Sequence, residues 1–161
     1  MKNILNKLTF PFSVLGLFSC ANVIADADGT DNSDFTEFQE KNWYLDEVRI
    51  GTTIFSVNRE NKPYSIYTIM LNSERFAGVG APNHYFGSYS VKKDHSISFK
   101  KIGSTRMAPI FEMYDVKEQD YFAYIERVTR WKIHKGKLEL YSYKEDGSQA
   151  VLTYSSGNSI E

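Results

Sequence analysis

From Trp43 to Tyr154, apolar and polar residues alternate with a period of two along most of the chain, and the longer helical period surfaces clearly once. Trp43, Leu45 and Val48 lead into a first strand, and Ile54 to Val57 is a short apolar run. Ser65 to Leu71 is β-branched and aromatic enough to be a central strand. Asn72 and Ser73 turn the chain into Arg75 to Val79. The next pair is Tyr85 to Val91 with Ser96 to Ile102. In its second member Ile97 and Phe99 share one face while Ser96, Ser98 and Lys100 share the other, the pattern of a half-buried strand. A C-terminal meander closes the pattern. Trp131 and Ile133 alternate with Lys132 and His134, Lys135-Gly136 turns, Leu138 and Leu140 alternate with Glu139 and Tyr141, and Ala150 to Tyr154 follows Glu145-Asp146-Gly147.

The helical stretch begins at Asp115-Val116-Lys117-Glu118, a capping-box pattern in which Asp115 accepts from the Glu118 amide and Glu118 reaches back. It predicts a helix over about 116–128. Tyr121, Phe122, Ile125 and Val128 fall on one face, opposite Lys117, Glu126 and Arg127. Seven to nine strands with this helix define an α+β domain, mainly antiparallel β, whose sheet is expected to curl into an open barrel because glycines mark its bends. The helix then covers the open side or one end. The domain spans 35–155, opening on a helical turn at Phe35 and Phe38. Residues 156–161 are polar and expected to fray.

Arg75 to Pro109 is the densest stretch. Gly78, Gly80 and Gly87 imply positive backbone angles or close backbone approach. Pro82-Asn83 marks a turn, in which the Asn83 side chain is expected to bond its own backbone. Tyr85 and Tyr89 are anchors, and Thr105 and Met107 are expected to turn inward with Arg106 outward.

At 161 residues, 42% hydrophobic, the chain can bury one sizeable core. Its formal charge of −1, with no Lys/Arg run longer than two, lacks the footprint of phosphate-backbone binding, so nucleic acid is not an expected partner. Aromatics reach 15%. Most belong in a core, but the pairs Tyr64/Tyr67, Tyr121/Tyr124 and Tyr141/Tyr143 imply that some rings face outward, as a binding surface requires.

The N-terminus changes the picture. Lys2 and Lys7 precede an apolar run from Leu8 to Phe18, shorter than the roughly 20 residues needed to span a bilayer. Leu17-Phe18-Ser19-Cys20 follows and resembles a bacterial lipobox, loosened by the bulky Phe18. Residues 1–19 thus read as a lipoprotein signal peptide with Cys20 as the lipidated residue; the alternative is an ordinary secretory peptide with an incidental cysteine. Residues 20–34 read as a tether. Its Asp28, Gly29, Asp31 and Asn32 only loosely echo a calcium loop, without the flanking helices or terminal Glu that chemistry needs. With a single cysteine, no disulfide forms within the chain.

Candidate chemistry is thin. His84, His95 and His134 have no His or Cys partner at metal-ligand spacing, and no metal or cofactor is expected. Nucleophile elbows, phosphate loops and dinucleotide fingerprints are absent from the sequence. Ser104, Thr105 and Arg106 could hold an anion but read better as a turn, so no catalytic residue is named.

Gly78, Asn83, Tyr85, Gly87 and Tyr89, followed by Thr105, Met107 and Ala108, resemble the paired loop motifs of the META domain (HslJ-like) family. Trp43, Leu45 and Trp131 extend the resemblance over about Phe35 to Tyr154. Pro82 and Pro109 stand where that family carries cysteines. The resemblance implies an envelope-associated domain with no established reaction. The expected function is therefore a non-enzymatic envelope lipoprotein, an interaction or stress-related module that is monomeric and held to a membrane through Cys20, with an envelope protein as its partner. Ala21 in place of an Asp retention signal leans toward the outer membrane. The alternative is a carrier of a small ligand or lipid, loosely similar in architecture to pilotin lipoproteins; an enzyme ranks third.

Overall fold

The structure is a computed structural model and describes residues 34–57, 66–108 and 116–157. After a short 3-10 helix at Phe35–Phe38 come β1 (Asn42–Ile50), β2 (Thr53–Ser56), β3 (Thr68–Asn72), β4 (Arg75–Val79), β5 (His84–Val91) and β6 (Ile97–Ser104). Helix α1 (Glu118–Glu126) follows, then β7 (Arg130–His134), β8 (Lys137–Tyr143) and β9 (Gln149–Ser156). All nine strands join one sheet, ordered β6-β5-β4-β3-β1-β9-β8-β7, with β2 paired to β1, and every pairing is antiparallel.

The sheet curls until its two ends touch at one corner. There Ser96 bridges Arg130, the Ile97 amide donates to the Thr129 carbonyl at 3.0 Å, and the Trp131 amide donates to the His95 carbonyl at 3.0 Å. Helix α1 packs against β6 and β8 and so covers the opening of this half-barrel. Local chemistry sets the turns. Lys135 and Gly136, at φ 51° and 74°, form the two-residue loop between His134 and Lys137 whose twist matches the flanking strands.

The helix is shorter than its pattern predicts, and its cap differs. It starts at Glu118, with Lys117 in the capping position and no side-chain cap bond. Asp115, the expected cap, lies outside the described residues. Glu118 does not reach back, because its carboxylate serves the β4–β5 loop. The buried stripe is Tyr121, Tyr124 and Ile125, continued by Val128 past the helix end, while Phe122 is half-buried on the flank. Residues three apart share a helix face, so Tyr121 and Tyr124 both turn inward, contrary to the pairing argument for exposed rings. Tyr67 is buried too, whereas Tyr143 is exposed as expected. At the C-terminus Ser156 still pairs with Trp43, so β9 outlasts the expected fraying point.

Two aromatic clusters build the core. Phe35, Phe38, Trp43, Tyr89 and Trp131 gather around the 3-10 helix, with the Phe35 and Trp131 ring centres 4.8 Å apart. Tyr67, Tyr85, Tyr121 and Tyr154 meet beneath α1.

Candidate functional site

The loop between β4 and β5 draws most of the motif residues together. The glycines in this loop and its two flanking strands are needed for close approach rather than for backbone angle, since none of Gly78, Gly80 and Gly87 has positive φ. A Cβ on Gly78 would lie 2.0 Å from the Thr68 carbonyl oxygen, and one on Gly80 would lie 2.6 Å from Oε1 of Glu118. At Gly87 it would meet the Lys100 carbonyl oxygen and the Phe76 ring, both at 2.7 Å.

Asn83 is the hub, and its side chain bonds across the fold instead of within its own turn. Its Nδ2 donates to the Met107 carbonyl at 3.2 Å and to Oε2 of Glu118 at 2.6 Å. Its Oδ1 accepts from the Thr105 hydroxyl at 2.9 Å and from the Met107 amide at 2.6 Å. Two donors and two acceptors are thus all used, which sets which way the amide faces. Oε1 of Glu118 accepts from the amides of Ala81 at 2.5 Å and Asn83 at 2.7 Å. One carboxylate therefore gathers three N–H groups, and the loop, the segment after β6 and the start of α1 are latched together.

Thr105 and Met107 do not turn into the core. Both are exposed, and the Thr105 hydroxyl faces Asn83 while accepting from the His84 amide at 3.1 Å. That hydroxyl is committed to the latch, which removes it from the anion-binding trio with Ser104 and Arg106. His84 is exposed at the start of β5. The Pro82-Asn83 turn and the Met107 segment are neighbours, as the bonds from Asn83 establish, and the Ala81–Pro82 peptide is cis. Pro109, Cys20 and the tether residues Asp26, Asp28, Gly29, Asp31 and Asn32 lie outside the described residues, whereas Asp34 caps the 3-10 helix by accepting from the Thr36 amide. Among the described residues no group of three His, Cys, Asp or Glu is placed to hold a metal ion.

Beneath the latch, Tyr85 and two tyrosines outside the motif form a directional relay. The Tyr85 hydroxyl donates to the Thr68 carbonyl at 2.8 Å, so its single proton is spent there. Tyr121 must then donate across the 2.8 Å contact to Tyr85, and Tyr154 donates to Tyr121 at 3.2 Å. Burial pushes the Tyr85 and Tyr154 phenols well above their ordinary range and Tyr121 up to about 12. Tyr89 lies apart from this relay, accepting from the Gln39 amide at 2.7 Å and packing against Phe35. The parts of Glu118, Tyr121 and Tyr154 in the site escape sequence reasoning. The one signal at Glu118, its capping-box spacing, pointed to the wrong acceptor geometry.

A curled antiparallel half-barrel, covered by one helix and latched by an Asn-centred loop, is the class of protein that fold and site define. The sequence model described as META domain matches residues 36–156, and the chain belongs to that family. Two solved structures share the fold. A protein from Burkholderia xenovorans, solved by NMR, has a TM-score of 0.63 at 19% identity, over 98% of this chain and 99% of the other. A crystallised DUF4847 family protein from Bacteroides vulgatus has a TM-score of 0.50 at 10% identity, over 79% of this chain and 99% of the other. No curated protein matches the chain.

Proposed function

We propose that this META-domain protein is a non-enzymatic envelope lipoprotein, anchored through Cys20 and working as an interaction module. The observation that carries the reading is the division of its aromatics. The half-barrel interior is occupied by its own rings, Tyr67 against Tyr121 at 4.9 Å and Phe76 against Phe99 at 4.9 Å, while the rings of Phe86 and Tyr143 remain exposed. An interior so filled supports an interaction module over a ligand carrier, which needs room inside. The polar groups of the latch support it too, because Asn83, Thr105 and Glu118 spend their hydrogen bonds within it.

Among the described residues no helix is long and apolar enough to cross a membrane, and this reading assigns anchoring to the acyl chains at Cys20. One acyl chain binds a bilayer only marginally, whereas the several chains of a lipoprotein hold it stably. Cys20→Ser should shift the protein out of the lipid-modified membrane fraction. Wild-type protein that partitions to the aqueous phase of a detergent extraction would overturn the anchor.

A further inference from the structure

We propose that the outer face of β3–β6 is a docking surface for anionic lipid headgroups, so that the domain lies on the membrane by this wall. The proposal rests on the anchored-module reading above and adds the surface and its partner. The strand register assembles the face from three rows. Met70 pairs with Ala77, Ala77 with Phe86, and Phe86 with Gly103, which makes an apolar row. Beside it run Asn72, Arg75, Ser88 and Lys100. On the other side the buried Thr68 pairs with Val79 and Val79 with His84, whose carbonyl accepts from the Thr105 amide at 2.9 Å, with exposed Arg106 and Met107 next in the chain.

The apolar row is left outside. Phe86 is 58% exposed even though its ring leans over Gly103, Met107 is 50% exposed and Met70 is 36% exposed. The charge around it is one-signed. Strands β3 to β6 contain Arg75, Lys100 and Lys101 and no Asp or Glu, and Arg106 follows, although the whole chain carries a net charge of −1. Glu74 and Asp94 sit in the β3–β4 and β5–β6 turns at its margins. Among the described residues no ion pair joins these four cations to a carboxylate.

A bulge sharpens the pattern. Strict alternation would turn Lys101 inward, but the register shifts between Phe86 and Ser88, Lys101 takes φ 54°, and both lysines are exposed. An aromatic ring and methionines ringed by cations, with no acid among them, match the boundary between acyl chains and anionic headgroups.

The test places a reporter on the face. The full lipidated chain carrying Phe86→Trp is reconstituted into phosphatidylcholine vesicles, with and without phosphatidylglycerol, containing brominated lipid. Trp43 and Trp131 are buried and give a constant background. Fluorescence from position 86 should be quenched in the anionic vesicles, and much less in neutral vesicles or high salt. Lys100→Glu with Lys101→Glu should weaken this docking by more than about tenfold. Arg75→Gln with Arg106→Gln, which leaves the bulge untouched, should weaken it in the same direction. Equal quenching of Tyr143→Trp on β8, or none at position 86, would overturn the proposal. Loss of quenching alongside salt-sensitive binding to polyglutamate would assign the face to an acidic polypeptide and overturn it too. A chain that stays membrane-bound with position 86 unquenched would refute this face but leave the Cys20 anchor standing.

Discussion

At Gly87 the fold leaves no room for even one carbon. The Lys100 carbonyl and the Phe76 ring both sit 2.7 Å from where a Cβ would be, and the backbone carbonyl cannot swing away without breaking the β5–β6 ladder. Gly87→Val should therefore destabilise by about 3 kcal/mol or more, at the upper end for overpacking a core. A change at exposed Lys93 should cost within about 0.5 kcal/mol. Urea unfolding of both variants checks this, and equal midpoints would show that the site relaxes. The need for glycine here was legible in the sequence, but its reason was not. Spacing could not separate a special backbone angle from a crowded site, because the crowding comes from a strand 13 residues away at Lys100.

Among the elements, the Asn83 latch couples two loops to a helix. The helix owes its start to this tertiary bond as much as to local sequence, since Lys117 offers no side-chain cap while Glu118 is turned onto the Ala81 and Asn83 amides. Asn83→Asp keeps the shape but sets carboxylate oxygen against Glu118 and the Met107 carbonyl, where Nδ2 now donates. It should cost about 2 to 4 kcal/mol at neutral pH. The repulsion raises the folded-state pKa of the new carboxyl, so the folded variant binds more protons and its deficit should shrink as pH falls. Melting curves of variant and wild type across the acidic range measure that difference; a deficit that widens in acid would mean the latch stabilises the new carboxylate rather than repelling it. The capping-box reading failed at this scale because the pattern assumes that Glu118 has only local amides to serve.

Across the whole molecule, the buried tyrosine relay ties stability to alkaline pH. Burial raises the folded-state pKa of Tyr85, Tyr121 and Tyr154, with Tyr121 at about 12, whereas the unfolded phenols titrate near an ordinary value of about 10. Folded protein thus holds protons that unfolded protein releases. Stability is fully present below about pH 10 and falls as pH rises toward 12, by roughly 1.4 kcal/mol per pH unit for each group. Tyrosinate absorbance should therefore show a late step for these rings that coincides with loss of far-ultraviolet circular dichroism. Titration of all 11 tyrosines near pH 10 with the fold intact would contradict the relay.

The period-two alternation, the turn residues and the single helical stripe were enough to determine an α+β domain of curled antiparallel sheet with one helix, because strand faces and tight turns are local properties. Lys135-Gly136 and the Ile97/Phe99 face needed nothing beyond their neighbours. Tertiary structure alone decided the rest. It sent Thr105 and Met107 outward to meet Asn83, turned Tyr124 inward beside Tyr121, and bent β6 at Lys101 so that two successive lysines face solvent. Each outcome depends on atoms brought from distant parts of the chain, such as the Glu118 carboxylate 35 residues from Asn83. Hydrogen-bond saturation and steric crowding at such meetings leave no periodic trace in the sequence.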